Sequence, residues 1–395
     1  MNIASLLLAA AVLFSCDEKG EGGGTSNPEG ELRIVLDKDV IQNNGTDAAV
    51  LKVMCGDQDV TADAIIYNDE DEVVNLKGGK FTSTKAGMYK FWAAYGAMMT
   101  YDEEAYDFGY TTVKVIPIPV PETAADPSPE KTSFVRRVFI AQSTGSNCKY
   151  CPGMVMIMRQ TFDEDKMVRA AIHNFGSGDP AYLAQPSSST LGGSGVPSVC
   201  IDFATVYNDY TNQPQLASRI NQRYEAAEAK VGISVNSVIE DDMLIIRTSV
   251  KAAETGTYNI GAWLLEDRIY AKQADEYGIK KLDPEHDYDT HDNCVRVADS
   301  SVGGKSYVGY PLGEIKEGET AEKTFVMSLF KENALNDNDD DRDDSWKVEN
   351  LHLVVFVTEP DIKGLYFQKF NNNFYTVNNV IDCDIDCEVP FEYAE

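Results

Sequence analysis

The stretch STGSNCKYCPG (residues 143–153) holds two cysteines that are separated by two residues, Cys148 and Cys151, and Pro152 follows them directly. A pair with this spacing serves as a redox couple, as half of a metal site or as an inert disulfide. The sequence on either side of the pair is needed to decide which of these three functions applies.

The pair lies between a predicted strand and a predicted helix. Apolar runs predict strands in FVRRVFIAQ (134–142), MVRAAIHNF (167–175) and GVPSVCIDF (195–203), and helices in GMVMIMRQTF (153–162) and QLASRINQRYEAAEAK (215–230). Strands that alternate with helices predict βαβ units, and hence an α/β domain over residues 134–230.

This order of elements gives the two cysteines a chemical reason for their spacing. Cys148 is expected at the N-terminus of the helix, where free N–H groups and the helix dipole stabilise a thiolate. Cys151, one turn on, would lie within reach of a mixed disulfide, and Pro152 would occupy the first turn, where its missing N–H costs nothing. A C-x-x-C pair in this context is typical of thioredoxin-like domains.

A second segment, GVPSV (195–199), begins a later apolar strand and resembles the Gly-Val-Pro-Thr loop of the thioredoxin fold. The proline of that loop is cis, an uncommon geometry. The resemblance implies that Val196 and Pro197 dock an extended peptide beside the catalytic cysteines Cys148 and Cys151.

Two positions depart from active thioredoxins. Asn147 stands where tryptophan is usual, and Lys149-Tyr150 replaces Gly-Pro between the cysteines. The charge of Lys149 would lower the pKa of a neighbouring thiol. These departures leave the substrate range and the redox direction open.

A wider resemblance rests on four segments, which are RRVFIAQSTGSNCKYCPGM (136–154), AAIHNFGSGDP (170–180), AWLLEDRIYAKQ (262–273) and DTHDNCVR (289–296). Together they resemble the thioredoxin-like 28-kDa-type outer-membrane lipoproteins of Bacteroidetes over residues 134–395. The resemblance implies a lipid-anchored envelope protein with a thioredoxin-like domain and a β-domain. His173, which ends a strand in this pattern, would either tune the cysteine pair or simply pack in the domain.

The flanking regions are predicted to be all-β. Residues 31–116 alternate apolar and polar positions in about seven short runs, which predicts a β-sandwich. Within them, GGKFTSTKAGMYKFWAAYG (78–96) resembles bacterial immunoglobulin-like domains. Residues 117–133 are rich in proline and acidic side chains, which predicts an extended linker, and residues 231–395 predict a C-terminal β-sandwich.

The N-terminus predicts export and anchoring. MNIASLLLAAAVLFSC (1–16) reads as a secretory signal over residues 1–15 and resembles a lipoprotein signal, with Cys16 as the lipidated residue; a plain cleaved signal is the alternative. Residues 16–30 are polar and Gly-rich, which predicts a flexible tether. The acidic pair after Cys16 resembles a surface-export signal, so we expect a lipid-anchored protein of the outer membrane at the cell surface, or alternatively facing the periplasm.

The charge of the chain excludes one class of partner. Lys and Arg total 34 against 64 Asp and Glu, which gives a formal charge of −30. Such an acidic surface repels phosphate backbones, so nucleic-acid binding is excluded.

The other cysteines and acidic residues offer weaker patterns. Cys383 and Cys387 either bridge locally or remain thiols, whereas Cys55 and Cys200 lie in apolar strands and are expected to be buried. A set of His286, His291 and Cys294 lacks the fourth ligand of a zinc site, so no metal and no cofactor are expected.

The segment NDNDDDRDDSW (336–346) is dense in carboxylates but fails as an EF-hand. Counted from Asp337, its sixth position is Arg342 instead of Gly, and its twelfth is Val348 instead of Glu. A solvated acidic loop is the expected structure, and calcium binding by residues 337–344 stays open.

Two functions follow from these patterns. The first is a thiol–disulfide oxidoreductase that acts on disulfides of extracytoplasmic proteins through Cys148 and Cys151. The second is a binding or adhesion lipoprotein for a host or envelope protein, in which the thioredoxin-like domain is a scaffold and the pair is a structural disulfide.

Overall fold

The structure is a computed structural model, and it describes residues 30–102, 107–176, 178–226, 228–300, 306–330, 345–361, 364, 369–370 and 373–395. Cys16, nearly all of the predicted tether and the acidic loop 337–344 lie outside the described residues. The described part contains 27 strands and three α-helices, so the chain is mostly β-sheet. None of the helices in this part is long and apolar enough to cross a lipid bilayer.

The N-terminal region forms eleven strands, most of them short. They are β1 Leu32–Leu36, β2 Val40–Gln42, β3 Ala49–Cys55, β4 Gln58–Asp59, β5 Ile65–Asn68, β6 Lys80–Phe81, β7 Gly87–Tyr95, β8 Met98–Met99, β9 Tyr101–Asp102, β10 Asp107–Phe108 and β11 Thr111–Ile116. One sheet contains β1, β3, β4 and β6, and a second contains β2, β11, β7, β5 and β8. The all-β prediction for this region is therefore confirmed.

The alternation of β3 explains how the two sheets share a core. Successive residues of a strand point to opposite faces. Leu51 and Val53 point inward and are fully buried, whereas Lys52 between them is exposed. The inward residues pack against Phe91 of β7 and Val113 of β11 in one apolar cluster.

The middle region contains four strands and two helices. They are β12 Val138–Thr144, α1 Cys151–Thr161, β13 Met167–His173, β14 Ser198–Ile201, β15 Thr205–Tyr207 and α2 Gln213–Glu225. β12 and β13 are parallel and α1 connects them, which is the βαβ unit that the sequence predicted. β14 runs antiparallel to β12, and β15 antiparallel to β14. Both helices pack on one face of these strands, through a cluster that includes Ile140, Met154 and Leu216.

Local sequence explains where the two helices begin. Pro152 lies in the first turn of α1, where no intrahelical partner is lost. Asn212 precedes α2, and its side chain accepts a hydrogen bond from the backbone N–H of Gln215.

The C-terminal region contains twelve strands and one short helix. They are β16 Val231–Glu240, β17 Met243–Ala252, β18 Gly256–Glu266, β19 Ile269–Tyr270, α3 Ile279–Leu282, β20 Thr290–His291, β21 Cys294–Asp299, β22 Tyr310–Ile315, β23 Thr320–Ser328, β24 Leu351–Pro360, β25 Lys369–Phe370, β26 Asn373–Asp384 and β27 Glu388–Val389. The sheet β23-β17-β16-β27 packs against β18, β24 and β26 through buried residues such as Val235, Leu264 and Leu353. The C-terminal region is therefore β-rich, and its assignment as a β-sandwich stays a prediction.

The middle and C-terminal regions share one sheet, which the sequence did not predict. Its strand order is β15-β14-β12-β13-β21-β18-β24-β26-β25, and β22 pairs with β18. The joint is the parallel pair of β13 and β21, where Ala171 lies opposite Cys294. Phe139 of β12 packs 5.2 Å from both Trp263 of β18 and Phe356 of β24, measured between ring centroids. The predicted boundary between residues 230 and 231 stays a prediction.

The predicted linker, residues 117–133, contains no helix or strand, and it lies against the C-terminal region. Ile118 and Val120 pack beside Ile245 of β17. The buried ammonium of Lys251 donates to Asp126 Oδ2 at 2.9 Å and to the carbonyl oxygen of Pro129 at 2.6 Å. The segment is therefore fixed along its length instead of standing free.

Candidate functional site

Cys148 and Cys151 form a disulfide, with their Cα atoms 5.4 Å apart. Helix α1 begins at Cys151, so Cys148 lies in the turn that leads into the N-terminus of the helix. That turn is closed by the N–H of Cys148, which donates to the carbonyl oxygen of Gly145 at 3.0 Å. Pro152 occupies the first helical turn, as predicted.

The two sulfur-bearing residues differ in their access to solvent. Cys148 is 3% exposed, whereas Cys151 is completely buried. Cys148 also lines a surface groove, to which Cys151 contributes nothing. Cys148 is therefore the residue of the pair that an incoming molecule can contact.

The peptide bond between Val196 and Pro197 is cis, as the resemblance implied. Pro197 directly precedes β14, and Ser198 pairs with Ser143 near the end of β12, so the loop and the cysteine turn lie at the same end of the sheet. Val196 lines the same groove as Cys148. The sequence-predicted pair and the predicted docking loop are thus brought together.

The groove measures about 700 Å³, and its other wall is the serine- and glycine-rich segment 187–195. Ser188 Oγ donates to the carbonyl oxygen of Gly195 at 2.7 Å and thereby fixes the loop ahead of Pro197. Phe175 contributes an aromatic ring to the rim and is 47% exposed. The groove offers backbone groups and small hydroxyls to an incoming molecule.

Gln273, from the C-terminal region, holds the backbone of the cysteine turn. Its buried Nε2 lies 2.8 Å from the carbonyl oxygen of Cys148, 3.0 Å from that of Ser146 and 3.4 Å from that of Gly145. An amide nitrogen has two N–H donors, so these carbonyl groups share them. A side chain remote in sequence therefore fixes the shape of the turn.

The residues after Gln273 continue along the same turn. The N–H of Ala274 donates to the carbonyl oxygen of Ser146 at 2.8 Å, and that of Glu276 donates to the carbonyl oxygen of Lys149 at 3.0 Å. We call residues 273–277 the covering segment. It adds an extended backbone to one side of the cysteine turn.

The covering segment also neutralises the charge of Lys149. The Lys149 ammonium lies 3.1 Å from Glu276 Oε2, and this carboxylate raises the pKa of Lys149. Tyr277 completes an aromatic cluster with Tyr150 and Tyr210, with ring centroids 5.5–6.2 Å apart. The predicted effect of Lys149 on a thiol is therefore opposed by a carboxylate at hydrogen-bonding distance.

His173 reaches the cysteine turn through Asp179. His173 Nδ1 lies 2.9 Å from Asp179 Oδ2, and the same oxygen accepts the N–H of Ser146 at 2.6 Å. Burial alone would raise the pKa of Asp179, but the His173 hydrogen bond and the N–H donors of Ser146 and Ala181 lower it well below its usual value. An ionised carboxylate only accepts hydrogen bonds, so His173 carries its proton on Nδ1.

Cys294 extends this buried chain on the other side of His173. Its Sγ lies 3.5 Å from His173 Nε2, and burial raises the pKa of the thiol well above its usual value. The thiol is therefore protonated at neutral pH, and it lies between His173 Nε2 and the carbonyl oxygen of Asp292, which is 3.8 Å away. Cys294 acts here as a buried hydrogen-bonding group and not as a nucleophile.

Four of the remaining cysteines are placed as follows. Cys200 is buried in β14, as predicted, and burial raises the pKa of its thiol to about 12. Cys383 and Cys387 are not bridged in this structure, although the two thiols are hydrogen-bonded. The Cys383 thiol lowers the pKa of Cys387 to about 7. Cys55, at the end of β3, is buried as predicted.

Among the described residues, no group of three or more His, Cys, Asp or Glu side chains is arranged to hold a metal ion. His291 Nε2 lies 2.9 Å from the carbonyl oxygen of Ala271, and its ring packs edge-on against His173 at 4.9 Å. His286 instead packs on Tyr288.

Sequence reasoning missed the residues that support the cysteine turn, above all Gln273, Asp179 and Tyr277. Gln273 and Asp179 lie inside segments on which the family resemblance rests, and that was the only signal for them. Asp179 stands 33 residues from its partner Ser146, and Gln273 stands 125 residues from its partner Cys148. Local sequence patterns do not connect residues that are so far apart.

Comparison with known proteins identifies one family model, described as "Outer membrane protein Omp28", which matches residues 184–370. The matched range covers less than half of the 395 residues; it includes Pro197 and Gln273 but not Cys148, Cys151 or His173. The match supports an outer-membrane location for the protein. No curated protein matches the chain significantly.

Two solved structures are similar to parts of the chain. HBP35 of Porphyromonas gingivalis is 14% identical with a TM-score of 0.48, and the alignment covers 66% of this chain and 78% of that one. A structural-genomics protein from Agrobacterium tumefaciens is 12% identical with a TM-score of 0.38, and the alignment covers 65% and 97% of the two chains. Both TM-scores lie below 0.5, so neither similarity establishes a shared overall fold.

Proposed function

We propose that the protein is an outer-membrane thiol–disulfide oxidoreductase in which residues 134–230 are a thioredoxin-like unit. The observation that carries the proposal is that Cys148, of the disulfide Cys148–Cys151, and Val196, of the cis Val196–Pro197 peptide, line one groove. The family match of residues 184–370 supports the outer-membrane part of it.

We further propose that Cys16 carries a lipid anchor and that the protein acts at the cell surface, with a periplasm-facing orientation as the alternative. The support is the N-terminal sequence, in which an apolar signal ends at Cys16 and an acidic, Gly-rich tether follows. Residues 31–116, as an immunoglobulin-like unit, would hold the redox unit away from the membrane.

The chemistry exchanges two electrons with a client protein. In the reduced form, the Cys148 thiolate attacks one sulfur of a client disulfide, and the other client sulfur leaves as a thiolate. The Cys151 thiolate then attacks the Cys148 sulfur and releases the second client thiol. The client is reduced to a dithiol, Cys148–Cys151 becomes the disulfide, and a protein dithiol has to reduce it again.

The groove suits an extended peptide. Its wall of serines and glycines offers few charged side chains, and Val196 beside the cis bond offers backbone groups. Main-chain hydrogen bonds of this kind bind peptides with little dependence on their sequence. Phe175 on the rim and the tyrosine cluster beside Cys148 favour clients with apolar residues near the reactive cysteine.

His173 and Lys149 are proposed as positioning residues. His173 acts through Asp179 and the N–H of Ser146, which lies in the turn before Cys148. Lys149 acts through Glu276, which attaches the covering segment to the turn.

A specific observation also favours the second function, a binding lipoprotein with a static disulfide. Cys148 is only 3% exposed, and Gln273 and the covering segment hold its turn rigidly. In that case the groove would bind a host or envelope protein without electron exchange.

Trapping of clients tests the first function. Replacing Cys151 by Ala stops the resolving step, so mixed disulfides between Cys148 and client proteins should accumulate on the cells and disappear on reduction. The matched control is the Cys148→Ala/Cys151→Ala double variant, which should trap nothing. If the single variant traps no more than the double variant, the oxidoreductase proposal is wrong.

The reduction potential of the pair separates the two functions independently. A potential between about −120 and −270 mV is the range of thiol–disulfide oxidoreductases, whereas structural disulfides lie below about −300 mV. Differential alkylation across a glutathione series measures it. A potential below about −300 mV would favour the binding lipoprotein with a structural disulfide.

A further inference from the structure

A cavity of about 150 Å³ lies behind the cysteine turn, between helix α1, strand β13 and the segment 286–293. Its wall includes Gln142 of β12, Arg159 of α1 and Arg169 of β13. The side chain of Arg159 is 38% exposed, so the cavity is open to solvent on that side. This cavity is separate from the groove beside Pro197, because the two have no wall residue in common.

Two hydrogen-bond donors in the cavity wall lack acceptors. Gln142 is 5% exposed, and its Nε2 has no hydrogen-bond partner among the described residues. The buried Nε of Arg169 likewise has none in the described part of the chain. A buried donor without an acceptor costs about 1–3 kcal/mol in a folded protein. Two such donors in one cavity wall indicate a ligand that supplies acceptor oxygens.

The charged side chains of the cavity wall are Arg159, Arg169 and Asp292. The guanidinium of Arg169 packs on the ring of Phe162 at 3.9 Å, and the carboxylates of Asp292 and Asp267 act on it electrostatically. Arg159 is paired with Asp283 at 2.7 Å. Asp292 also lines the cavity, and its charge remains although its Oδ1 accepts the backbone N–H of Arg268 at 3.0 Å.

Two of the three histidines of the wall, His286 and His291, add no positive charge at neutral pH, and the third, His173, is hydrogen-bonded to Asp179. Burial lowers the pKa of His286, and the nearby Arg159 lowers it further. Burial and the neighbouring His173 likewise lower the pKa of His291. Arg169 is therefore the wall cation that remains for a ligand.

We propose that this cavity is a binding site for a small carboxylate of about six non-hydrogen atoms, which the Gln142 amide and the Arg169 guanidinium hold by hydrogen bonds. The size follows from the volume, since a cavity of about 150 Å³ holds a molecule as large as benzene. The class follows from the donors, since guanidinium and amide N–H groups together match the two oxygens of a carboxylate.

Calorimetric titration of the purified full chain tests the ligand class. Propionate, pyruvate and lactate are the probes, and propionamide is the matched control, because it keeps the shape of propionate and lacks its charge. We expect at least one carboxylate to bind with a dissociation constant of about 1 mM or tighter, which is within reach of so small a ligand. Propionamide should bind at least about tenfold more weakly.

Variants test the assigned residues. Gln142→Met keeps the length of the side chain and removes its donors, and Arg169→Lys keeps the charge and removes the planar fork; each should weaken binding by about tenfold or more. Gln222→Met makes the same exchange on the exposed surface of α2 and should leave binding unchanged. If Gln142→Met does not fold, Arg169→Lys carries the test alone.

The site does not depend on the redox proposal, so Cys148→Ala/Cys151→Ala should bind the carboxylate as the wild-type chain does. Failure of every carboxylate to bind at millimolar concentration would mean that the cavity holds only water, and the proposal would be overturned. Equal binding of propionate and propionamide, or unchanged binding by both cavity variants, would overturn it too.

Discussion

Gln273 Nε2 lies 2.8 Å from the carbonyl oxygen of Cys148, although the two residues stand 125 positions apart in the chain. Gln273 belongs to the C-terminal region, and Cys148 to the disulfide turn of the middle region. The sequence predicted that the turn belongs to a domain of residues 134–230. The side chain that fixes the shape of the turn lies outside this range.

Replacing Gln273 by Met is expected to destabilise the protein by about 2 kcal/mol, because buried carbonyl groups lose their donor while the size of the side chain is kept. Urea denaturation measures the change. The same exchange at the exposed Gln222 should change stability by less than about 0.5 kcal/mol. Similar effects at the two positions would show that the contact does not hold the turn.

Replacing Asp179 by Asn is expected to cost about 1–3 kcal/mol at neutral pH, because the charged acceptor of His173 and Ser146 is lost. The pKa of Asp179 is lowered in the folded state, so its contribution is present above the unfolded value of about 3.9 and is lost as the pH falls below it. The difference in stability between wild type and variant should therefore shrink from pH 5 towards pH 3.

The exposed Asp165 is the control for this comparison, and Asp165→Asn should track the wild-type protein at every pH. A wild-type advantage over Asp179→Asn that stayed constant down to pH 3 would contradict the assigned hydrogen bonds.

Local patterns were sufficient for the elements that surround the cysteines. The apolar runs predicted β12, β13 and the helix between them, and a proline directly after Cys151 indicated where that helix begins. The resemblance of GVPSV to a thioredoxin loop implied the cis bond before Pro197. Each of these features depends on residues that are neighbours in the chain.

Long-range pairing was not predictable in the same way. Periodicity indicates which face of a strand is buried, but it does not identify the partner strand, so the parallel pair of Ala171 and Cys294 was missed. For the same reason, two regions that were predicted as separate domains proved to share a sheet. Gln273 and Asp179 support the turn through polar contacts, which leave no periodic trace in the sequence.

Lys251 is expected to fix the segment 117–133 to the C-terminal region. Its side chain is 2% exposed, and its ammonium donates to Asp126, to Pro129 and to the hydroxyl of Tyr393. Burial opposes the charge, but hydrogen bonds with Tyr393 and Asp126 outweigh burial and raise the pKa of Lys251. Lys251→Met should cost about 2 kcal/mol, because Asp126 loses a buried partner.

A double-mutant cycle isolates the pair. Lys251→Met and Asp126→Asn should couple by about 0.5–3 kcal/mol in denaturant unfolding. Lys316, which is 67% exposed, offers the matched control, and Lys316→Met should change stability by less than about 0.5 kcal/mol. Additive effects of Lys251→Met and Asp126→Asn would mean that the ion pair does not hold the segment.

His352 of β24 should make stability decrease at alkaline pH. Its Nδ1 lies 2.7 Å from Asp382 Oδ1, and its Nε2 lies 3.5 Å from Asp267 Oδ1. Burial opposes protonation, but these two carboxylates outweigh it and raise the pKa of His352 to about 9. The pKa of His352 is therefore higher in the folded state than its unfolded value of about 6.5. The contribution of His352 to folding stability is complete below pH 6.5 and is lost as the pH rises through 9.

Relative to His352→Asn, the wild-type protein should therefore lose about 2 kcal/mol of stability between pH 6 and pH 9.5; the full shift is discounted because both carboxylates are partly exposed. Urea unfolding at intervals of half a pH unit measures the curve. Asp382→Asn removes the nearer carboxylate and should flatten it. A wild-type curve parallel to that of His352→Asn would mean that His352 is neutral in the folded protein.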